Sequence, residues 1–212
     1  MFKVRYFKCF LIFFPLFLFS INIDKNELQK YKQDYIIYVN KKEFKLYVLN
    51  KNLEKLEEYS VSLGLEEGRK LVAGDNKTPE GIYYVTEILS LDAPKDSIAY
   101  KKLVEMNNIY FRAKDGHFKY NRPKEDLGKN AYGPRFFRLS YPNKEDIKRF
   151  LLAKKRGDIP KNSSIGGGIA IHGTNDEPSI GHRASSGCVR LKNEDIVKLD
   201  KYIKIDTIVI IE

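Results

Sequence analysis

The chain has 212 residues, of which 38 are Lys or Arg and 28 are Asp or Glu, so its formal net charge is +10. This charge fits a solvated basic surface, or attraction to polyanions such as nucleic acid, anionic lipid or a cell wall rich in carboxylates and phosphates. Because the chain lacks the interleaved aromatic and basic residues of single-strand binders, no nucleic-acid partner is expected.

Residues 1–23 have the pattern of a targeting segment. Lys3, Arg5 and Lys8 precede an uncharged, almost wholly apolar run over residues 9–23 that is short for a membrane span. No Ala-x-Ala site follows, so a cleaved signal peptide and a retained N-terminal membrane anchor both stay open. We expect export to the periplasm or the cell-wall face of the cytoplasmic membrane, with membrane contact only through such an anchor. Residues 24–212, about 190 in all, suffice for one domain without a second.

The chain has two cysteines, and one of them, Cys9, lies within the targeting segment. If that segment is removed, Cys188 has no intramolecular partner in an oxidising compartment. Because an unpaired thiol there invites oxidation and mispairing, the pattern favours a reactive role for Cys188 over a structural one.

The first half of the domain alternates polar and apolar residues with the period of β-strands. Residues 34–49 predict a β-hairpin, and the turn signature Thr78-Pro79-Glu80-Gly81 predicts the start of another strand. The predicted strands are Tyr35–Val39, Phe44–Val48, Tyr59–Leu63 and Ile82–Ile88, with the hairpin turn at Asn40-Lys41-Lys42.

Residues 91–130 interrupt this regularity, with a helix predicted around Ser97–Met106 and a polar stretch after it. A connection of this length in a compact domain usually carries its own structure or covers a site. We therefore predict that residues 91–130 form an insertion or a lid.

Regular elements return in the second half, and they predict a mainly β, α+β domain with few and late helices. The Glu145–Lys155 helix has Asn143 as its cap and one apolar face formed by Ile147, Phe150 and Leu151. The last helix places Ile196, Leu199 and Ile203 on one face. The predicted elements are strand Gly133–Ser140, helix Glu145–Lys155, strand Gly166–Ile171 leading into His172, helix Glu194–Tyr202 capped by Asn193, and strand Thr207–Ile211.

One Gly-punctuated stretch carries residues suited to nucleophilic chemistry. His172 could take the proton of the Cys188 thiol and so raise the population of attacking thiolate. No Asp or Glu is obviously placed to orient the imidazole, so a backbone carbonyl immediately after His172 could serve. Gly187 permits a tight turn in which the Gly187 and Cys188 amides would stabilise an oxyanion, while Ser185 and Ser186 could cap or line that turn.

Several of these residues also have plainer interpretations. His172 could be structural and Cys188 a small buried apolar residue, but their register with the glycines favours catalysis. Arg190 either pairs with an acidic neighbour or binds a substrate carboxylate, which suits its planar guanidinium. His182 is interpreted as solvated surface, and Asn175 as a local loop-holding residue. No metal or other cofactor is expected, because no paired metal-ligand spacing occurs.

The block His172-Gly173-Thr174-Asn175, followed by Ser-x-Gly-Cys-Val-Arg-Leu over residues 185–191, resembles the L,D-transpeptidase catalytic domain, the YkuD family. This block is the specific part of the resemblance, which covers much of the chain after the targeting segment. Many members carry His directly before the Gly-Cys pair, where this chain has Ser186, so the departure concerns an auxiliary imidazole and not the base. The other matching features are the opening hairpin, Ser62-x-Gly64, Thr78-Pro79-Glu80-Gly81, Tyr141-Pro142-Asn143, and the final helix and strand.

The resemblance implies a β-sandwich-like domain that acts on peptidoglycan stem peptides, at the bond between the L-centre of a diamino acid and the terminal D-alanine. It implies that Cys188 is the nucleophile, His172 the base, Gly173 the residue whose carbonyl orients the base, and Arg190 an anchor for substrate carboxylate. An amine from a second stem, or another acceptor, then resolves the acyl-enzyme. With water as acceptor the protein would be an L,D-carboxypeptidase, and a non-catalytic wall-binding module is a further alternative.

Overall fold

The computed structural model describes residues 33–212, so the predicted targeting segment and Cys9 lie outside the described residues. Within this range no helix has both the length and the apolar character needed to cross a bilayer. The strands are β1 Tyr35–Asn40, β2 Lys45–Asn50, β3 Lys55–Ser60, β4 Leu63–Gly64, β5 Gly81–Ser90, β6 Phe118–Lys119, β7 Arg122–Asp126, β8 Arg135–Leu139, β9 Ala170–His172, β10 Arg183–Ser185, β11 Val189–Arg190 and β12 Ile208–Ile211. The α-helices are α1 Ile98–Asn108, α2 Lys144–Arg156 and α3 Asn193–Asp200.

Eight strands form one curled sheet in the order β11-β9-β8-β5-β12-β1-β2-β3. The pairs β1 with β12 and β9 with β11 are parallel, and the other neighbours are antiparallel. The predicted hairpin is confirmed, since β1 pairs with β2 from Tyr35 opposite Asn50 to Asn40 opposite Lys45. The predicted mainly β, α+β class and sandwich-like architecture are confirmed.

One face of the curled sheet encloses the main core together with α3. Alternate strand residues share a face, so Phe137 and Ile171 enter this core while Phe136 and His172 lie on the opposite face. Members of the core from the two ends of the sheet and α3 include Ile37, Val39, Leu46, Val48, Tyr83, Val85, Val189, Leu191, Ile196, Leu199, Val209 and Ile211.

A smaller apolar cluster lies on the opposite face of the sheet, where α1 packs on β5 and closes over residues of β8 and β9. Leu103 of α1 is fully buried against Leu89, Phe136 and Ala170, and Cys188 packs at the border of this cluster. Burial of a leucine side chain contributes about 1.5–3 kcal/mol, which helps to hold α1 on the sheet. The helix predicted in residues 91–130 therefore exists, and it covers the face that carries Cys188.

Two predicted strands have different bounds in the structure. β3 begins at Lys55 and ends at Ser60, whereas the prediction was Tyr59–Leu63. It is the edge strand of the sheet, where charged side chains obscure the apolar alternation. β9 is shorter than the predicted Gly166–Ile171, because Gly166 and Gly168 have φ values of 77° and 75° that interrupt a strand.

The face predicted for α2 is wrong, although its start is confirmed. Asn143 and Asp146 form a capping box, with hydrogen bonds of 2.9 and 3.0 Å between each side chain and the other residue's amide. Ile147 and Leu151 are exposed, whereas Phe150 is buried. The buried face of the helix differs from the predicted one because the Asp146 carboxylate faces inward. It accepts a hydrogen bond from the buried Tyr83 hydroxyl at 3.3 Å.

The cap predicted for the last helix is also wrong. α3 begins at Asn193 with Lys192 in the N-cap position, and no side chain caps it. Instead, Asn193 Oδ1 accepts a hydrogen bond of 3.0 Å from the Thr174 amide. The side chain expected to cap a helix therefore fixes the chain just after His172.

Candidate active site

His172, Arg190 and Cys188 lie on one face at the end of the sheet. β11 runs parallel to β9 and pairs Arg190 with His172. The intervening strand residues are in the main core, so these two side chains lie on the opposite face. Cys188 precedes Arg190 by two residues and packs against the cluster that contains Ala170. The structure therefore places the predicted nucleophile and the predicted base on the same surface of the sheet.

The His172 imidazole is buried and has a defined tautomer. Its Nδ1 lies 2.5 Å from the carbonyl oxygen of Gly173, and since a carbonyl can only accept, Nδ1 carries the hydrogen. Nε2 is left with a lone pair, as a general base requires. Burial, reinforced by the positive charge of Arg190, lowers the pKa of His172 from 6.5 to about 3.

This lowered pKa makes the neutral imidazole a source of acid sensitivity. The unfolded chain binds the proton more tightly than the folded chain. The part of the free energy of unfolding that depends on a neutral His172 is therefore fully present above pH 6.5. It is lost as the pH falls toward 3. At neutral pH the histidine is uncharged and able to accept a proton.

Cys188 is partly exposed, and its Sγ donates to the carbonyl oxygen of Gly168 at 3.6 Å. Burial raises the pKa of this thiol, while the positive charges of Arg190, Lys70 and Arg138 oppose that rise. The thiol is thus neutral in the free protein, on the same face of the sheet as the neutral imidazole. The same three cations would favour both a thiolate and an anionic ligand at this place.

The turn before Cys188 is held by its own backbone and by Ser185. Gly187 has a φ of 128°, and a Cβ there would lie 2.7 Å from the carbonyl oxygen of Lys77, so only glycine fits. Buried Ser185 accepts from the Gly187 amide at 3.1 Å and donates to the Cys188 carbonyl at 2.6 Å. Ser186 is exposed. A role for the Gly187 amide in an oxyanion hole requires exchange of its bond to Ser185, and it stays a prediction.

Arg190 is a buried cation without a carboxylate partner among residues 33–212. Its side chain makes one described hydrogen bond, from a guanidinium nitrogen to the Ala184 carbonyl at 3.3 Å. Its Nε is buried and unpaired within the same range. The nearest charge of opposite sign is the buried Asp176 carboxylate, which acts on Arg190 electrostatically without forming an ion pair.

Residues 91–130 contact the loop that joins His172 to Cys188. The Tyr120 amide donates to the buried Asp176 carboxylate at 2.9 Å, and the Tyr120 ring stacks on His182 at 4.4 Å and 11°. The Asn175 side chain donates to the Leu127 carbonyl at 2.5 Å. His182 is exposed, as predicted, although its ring also stacks on Tyr120. The interpretation of Asn175 as a local link is wrong, because its side chain reaches the Leu127 carbonyl of another segment.

Sequence reasoning missed three residues of this surface, Tyr132, Phe136 and Asp176. None lies in the His-to-Cys motif except Asp176, whose burial gives no signal in the sequence. The only sequence signal for Tyr132 is Gly133-Pro134, a turn pattern that separates this tyrosine from β8. Within the described part of the chain, no group of three or more His, Cys, Asp and Glu side chains is arranged to hold a metal ion.

Comparisons with known proteins identify the family of the chain. The family model of the L,D-transpeptidase catalytic domain, YkuD, matches residues 34–211. Bd1075 of Bdellovibrio bacteriovorus is 28% identical, with a TM-score of 0.50, over 85% of this chain and 48% of that chain. The helical cell shape determining protein Pgp2 of Campylobacter jejuni is 21% identical, with a TM-score of 0.51, over 89% and 55%.

An L,D-transpeptidase from Mycobacterium smegmatis is 12% identical, with a TM-score of 0.47, over 84% of this chain and 58% of that chain. The chain thus spans about half the length of the solved proteins that it matches. No curated protein matches it. Since the family model covers nearly the whole described range, the chain belongs to the L,D-transpeptidase catalytic domain (YkuD) family.

Proposed function

We propose that this protein is an exported peptidoglycan L,D-transpeptidase that uses Cys188 as its nucleophile. The observation that carries the proposal is the neutral imidazole of His172, fixed in one tautomer on the same sheet face as Cys188. A structural histidine would need only a hydrogen-bond partner, whereas a base needs a free Nε2 lone pair, and this arrangement supplies one. Enzymes of this family act on peptidoglycan.

The proposed reaction proceeds in two acyl transfers. The Cys188 thiol gives its proton to His172 Nε2, and its sulfur attacks the carbonyl carbon between the diamino acid and terminal D-alanine. His172 then protonates the leaving amine, so D-alanine departs and a thioester remains. An acceptor amine attacks the thioester carbon and gives a proton to His172. The C–S bond then breaks, and His172 passes that proton to the departing sulfur, which restores the thiol. Arg190 is the proposed anchor for a substrate carboxylate, because a buried guanidinium whose Nε is unpaired gains from a charge-assisted hydrogen bond to an anion.

The test uses the full chain and disaccharide tetrapeptides purified from peptidoglycan. We expect dimers with a 3-3 cross-link, release of D-alanine, and a covalent thioester on Cys188 detected by mass spectrometry. Tripeptide monomers without dimers would identify water as the acceptor and make the protein a carboxypeptidase. Folded protein that forms neither product nor a carbapenem adduct on Cys188 would support the wall-binding alternative and overturn the proposal.

We also propose that residues 91–130 form a lid over this site. α1 packs on the cluster beside Cys188, and the β6–β7 hairpin region reaches the loop after His172 through Tyr120. A lid that excludes water would favour transfer to an amine over hydrolysis. We expect the contacts of Tyr120 with Asp176 and His182 to hold the lid closed and so to control whether an amine or water is the acceptor.

Weakening the Tyr120 contacts should change the ratio of hydrolysis to transfer products without abolishing formation of the acyl-enzyme. The Tyr120→Ala variant loses the ring that stacks on His182, and we expect the ratio of tripeptide to dimer to rise several-fold. Tyr110→Ala is the matched control, since Tyr110 is an exposed tyrosine in the same segment. Equal product ratios in the two variants and the parent protein would contradict the lid proposal.

A further inference from the structure

We propose that Tyr132 is a positioning residue for the His172 imidazole, a role that rests on the proposed function of His172 as the base. The Tyr132 ring meets His172 edge-on, with ring centroids 5.1 Å apart and an interplanar angle of 61°. Phe136 stacks on the same imidazole at 5.8 Å and 24°. The two aromatic rings contact each other at 5.5 Å and 82°, so together they form a wall along the imidazole.

Asn107, a buried residue of α1, fixes the backbone on both sides of Tyr132. Its Oδ1 accepts from the Tyr132 amide at 3.0 Å, and its Nδ2 donates to the Gly133 carbonyl at 2.9 Å. Its own carbonyl accepts from the Asn130 amide at 2.8 Å. The position of the Tyr132 ring is therefore set by α1, the helix that covers the site.

Gly133, which accepts a hydrogen bond from Asn107, also contacts Gly173, the residue that orients the imidazole. A Cβ on Gly133 would lie 2.8 Å from Gly173 Cα, so the two backbones are in direct contact. Gly173 supplies the carbonyl that receives the His172 Nδ1 hydrogen. Tyr132 thus positions the imidazole in two ways. Its ring packs on the His172 ring, and the adjacent Gly133 contacts Gly173, whose carbonyl accepts the hydrogen bond from His172.

The ring of Tyr132 also determines how much water reaches His172. The charged and titratable groups around this cluster include Arg190 from β11, Arg138 from β8, Lys70, the Asp176 carboxylate, the Cys188 thiol and the Tyr132 hydroxyl itself. Burial is the largest cause of the lowered pKa of His172, so an opening at Tyr132 should raise that pKa toward 6.5. The positive charge of Arg190 would remain and would oppose the rise.

The test compares Tyr132→Phe with Tyr132→Leu in the full chain. We expect the Phe variant to keep kcat/KM within about threefold, because it keeps the ring. The Leu variant keeps apolar volume but lacks the ring, and we expect its kcat/KM to fall about ten- to a hundredfold through misplacement of the base. The pKa of His172 should rise by at least about one pH unit in the Leu variant alone, measured by NMR titration of the histidine ring protons.

The titration needs no turnover, so it separates failure of this inference from failure of the proposed function. Phe111→Leu is the matched control, since Phe111 packs on Tyr132 and His117, and we expect it to leave the titration of His172 unchanged. Folded Tyr132→Leu protein with an unchanged His172 pKa would overturn the inference, whatever its activity. Equal effects of Tyr132→Leu and Phe111→Leu would do the same, because they would indicate general packing.

Discussion

Replacing Cys188 by alanine is expected to abolish both thioester formation and D-alanine release, lowering turnover by about 10⁴-fold or more, the scale of loss of an activated nucleophile. The substitution removes one sulfur at a partly exposed position, so the folded protein should lose no more than about 1 kcal/mol of stability. Mass spectrometry of the acyl-enzyme and chromatography of muropeptides measure the effect.

The His172→Asn variant tests the partner of that sulfur. An asparagine side chain keeps a hydrogen-bond donor near the Gly173 carbonyl but supplies no base, so turnover should fall about 10²- to 10⁴-fold. Thermal unfolding of each variant serves as the control for folding. Turnover that persists in folded Cys188→Ala protein would remove the basis of the proposed mechanism, whereas loss of activity together with unfolding would leave the mechanism without support from these variants.

The Arg190→Met variant is expected to hold or raise the melting temperature while kcat/KM falls about a hundredfold. A buried cation without a carboxylate partner costs free energy in the folded state, and an apolar side chain of similar length relieves that cost. The fall in activity reflects loss of a charge-assisted contact with substrate, which is worth about 1.5–3 kcal/mol. Arg190→Lys should restore the charge without the planar fork, and so should recover only part of kcat/KM.

Arg135 is the matched control for that prediction, because it is also a buried arginine but has partners. It pairs with Asp92 at 2.5 Å and with Asp200 at 2.8 Å. Arg135→Met should therefore lower the melting temperature, in contrast to Arg190→Met. A clear drop in melting temperature in Arg190→Met would show that Arg190 is a structural residue and would contradict its assignment to substrate.

The chemistry-bearing residues could be predicted because they stand close together in the chain. His172 and Cys188 flank one loop, and glycines mark the turns that those positions require. The hairpin was also predictable, since its strands are adjacent and its pattern is local. By contrast, the tautomer of His172 depends on a single carbonyl contact, and the sequence could name the residue but not the distance.

The walls of the site could not be predicted, because they depend on contacts between distant segments. Tyr132 lies far before His172 in the chain and carries no motif, yet it packs on the imidazole. Asn193 has the pattern of a helix cap, but its side chain instead holds the Thr174 amide. In both cases tertiary contacts outweigh the local preference on which sequence patterns rest.

The position of β12 has a consequence for how the chain acquires its structure. This strand lies between β1 and β5 and pairs with both, so it completes the centre of the sheet, while a β-bridge between Ser62 and Arg190 links the opposite edges. Synthesis runs from the amino end, so residues 208–211 are made after the other strands of this sheet. The earlier strands must therefore wait with their edges unpaired, and His172 and Cys188 reach their final setting only once a central, sequence-distant pairing has formed.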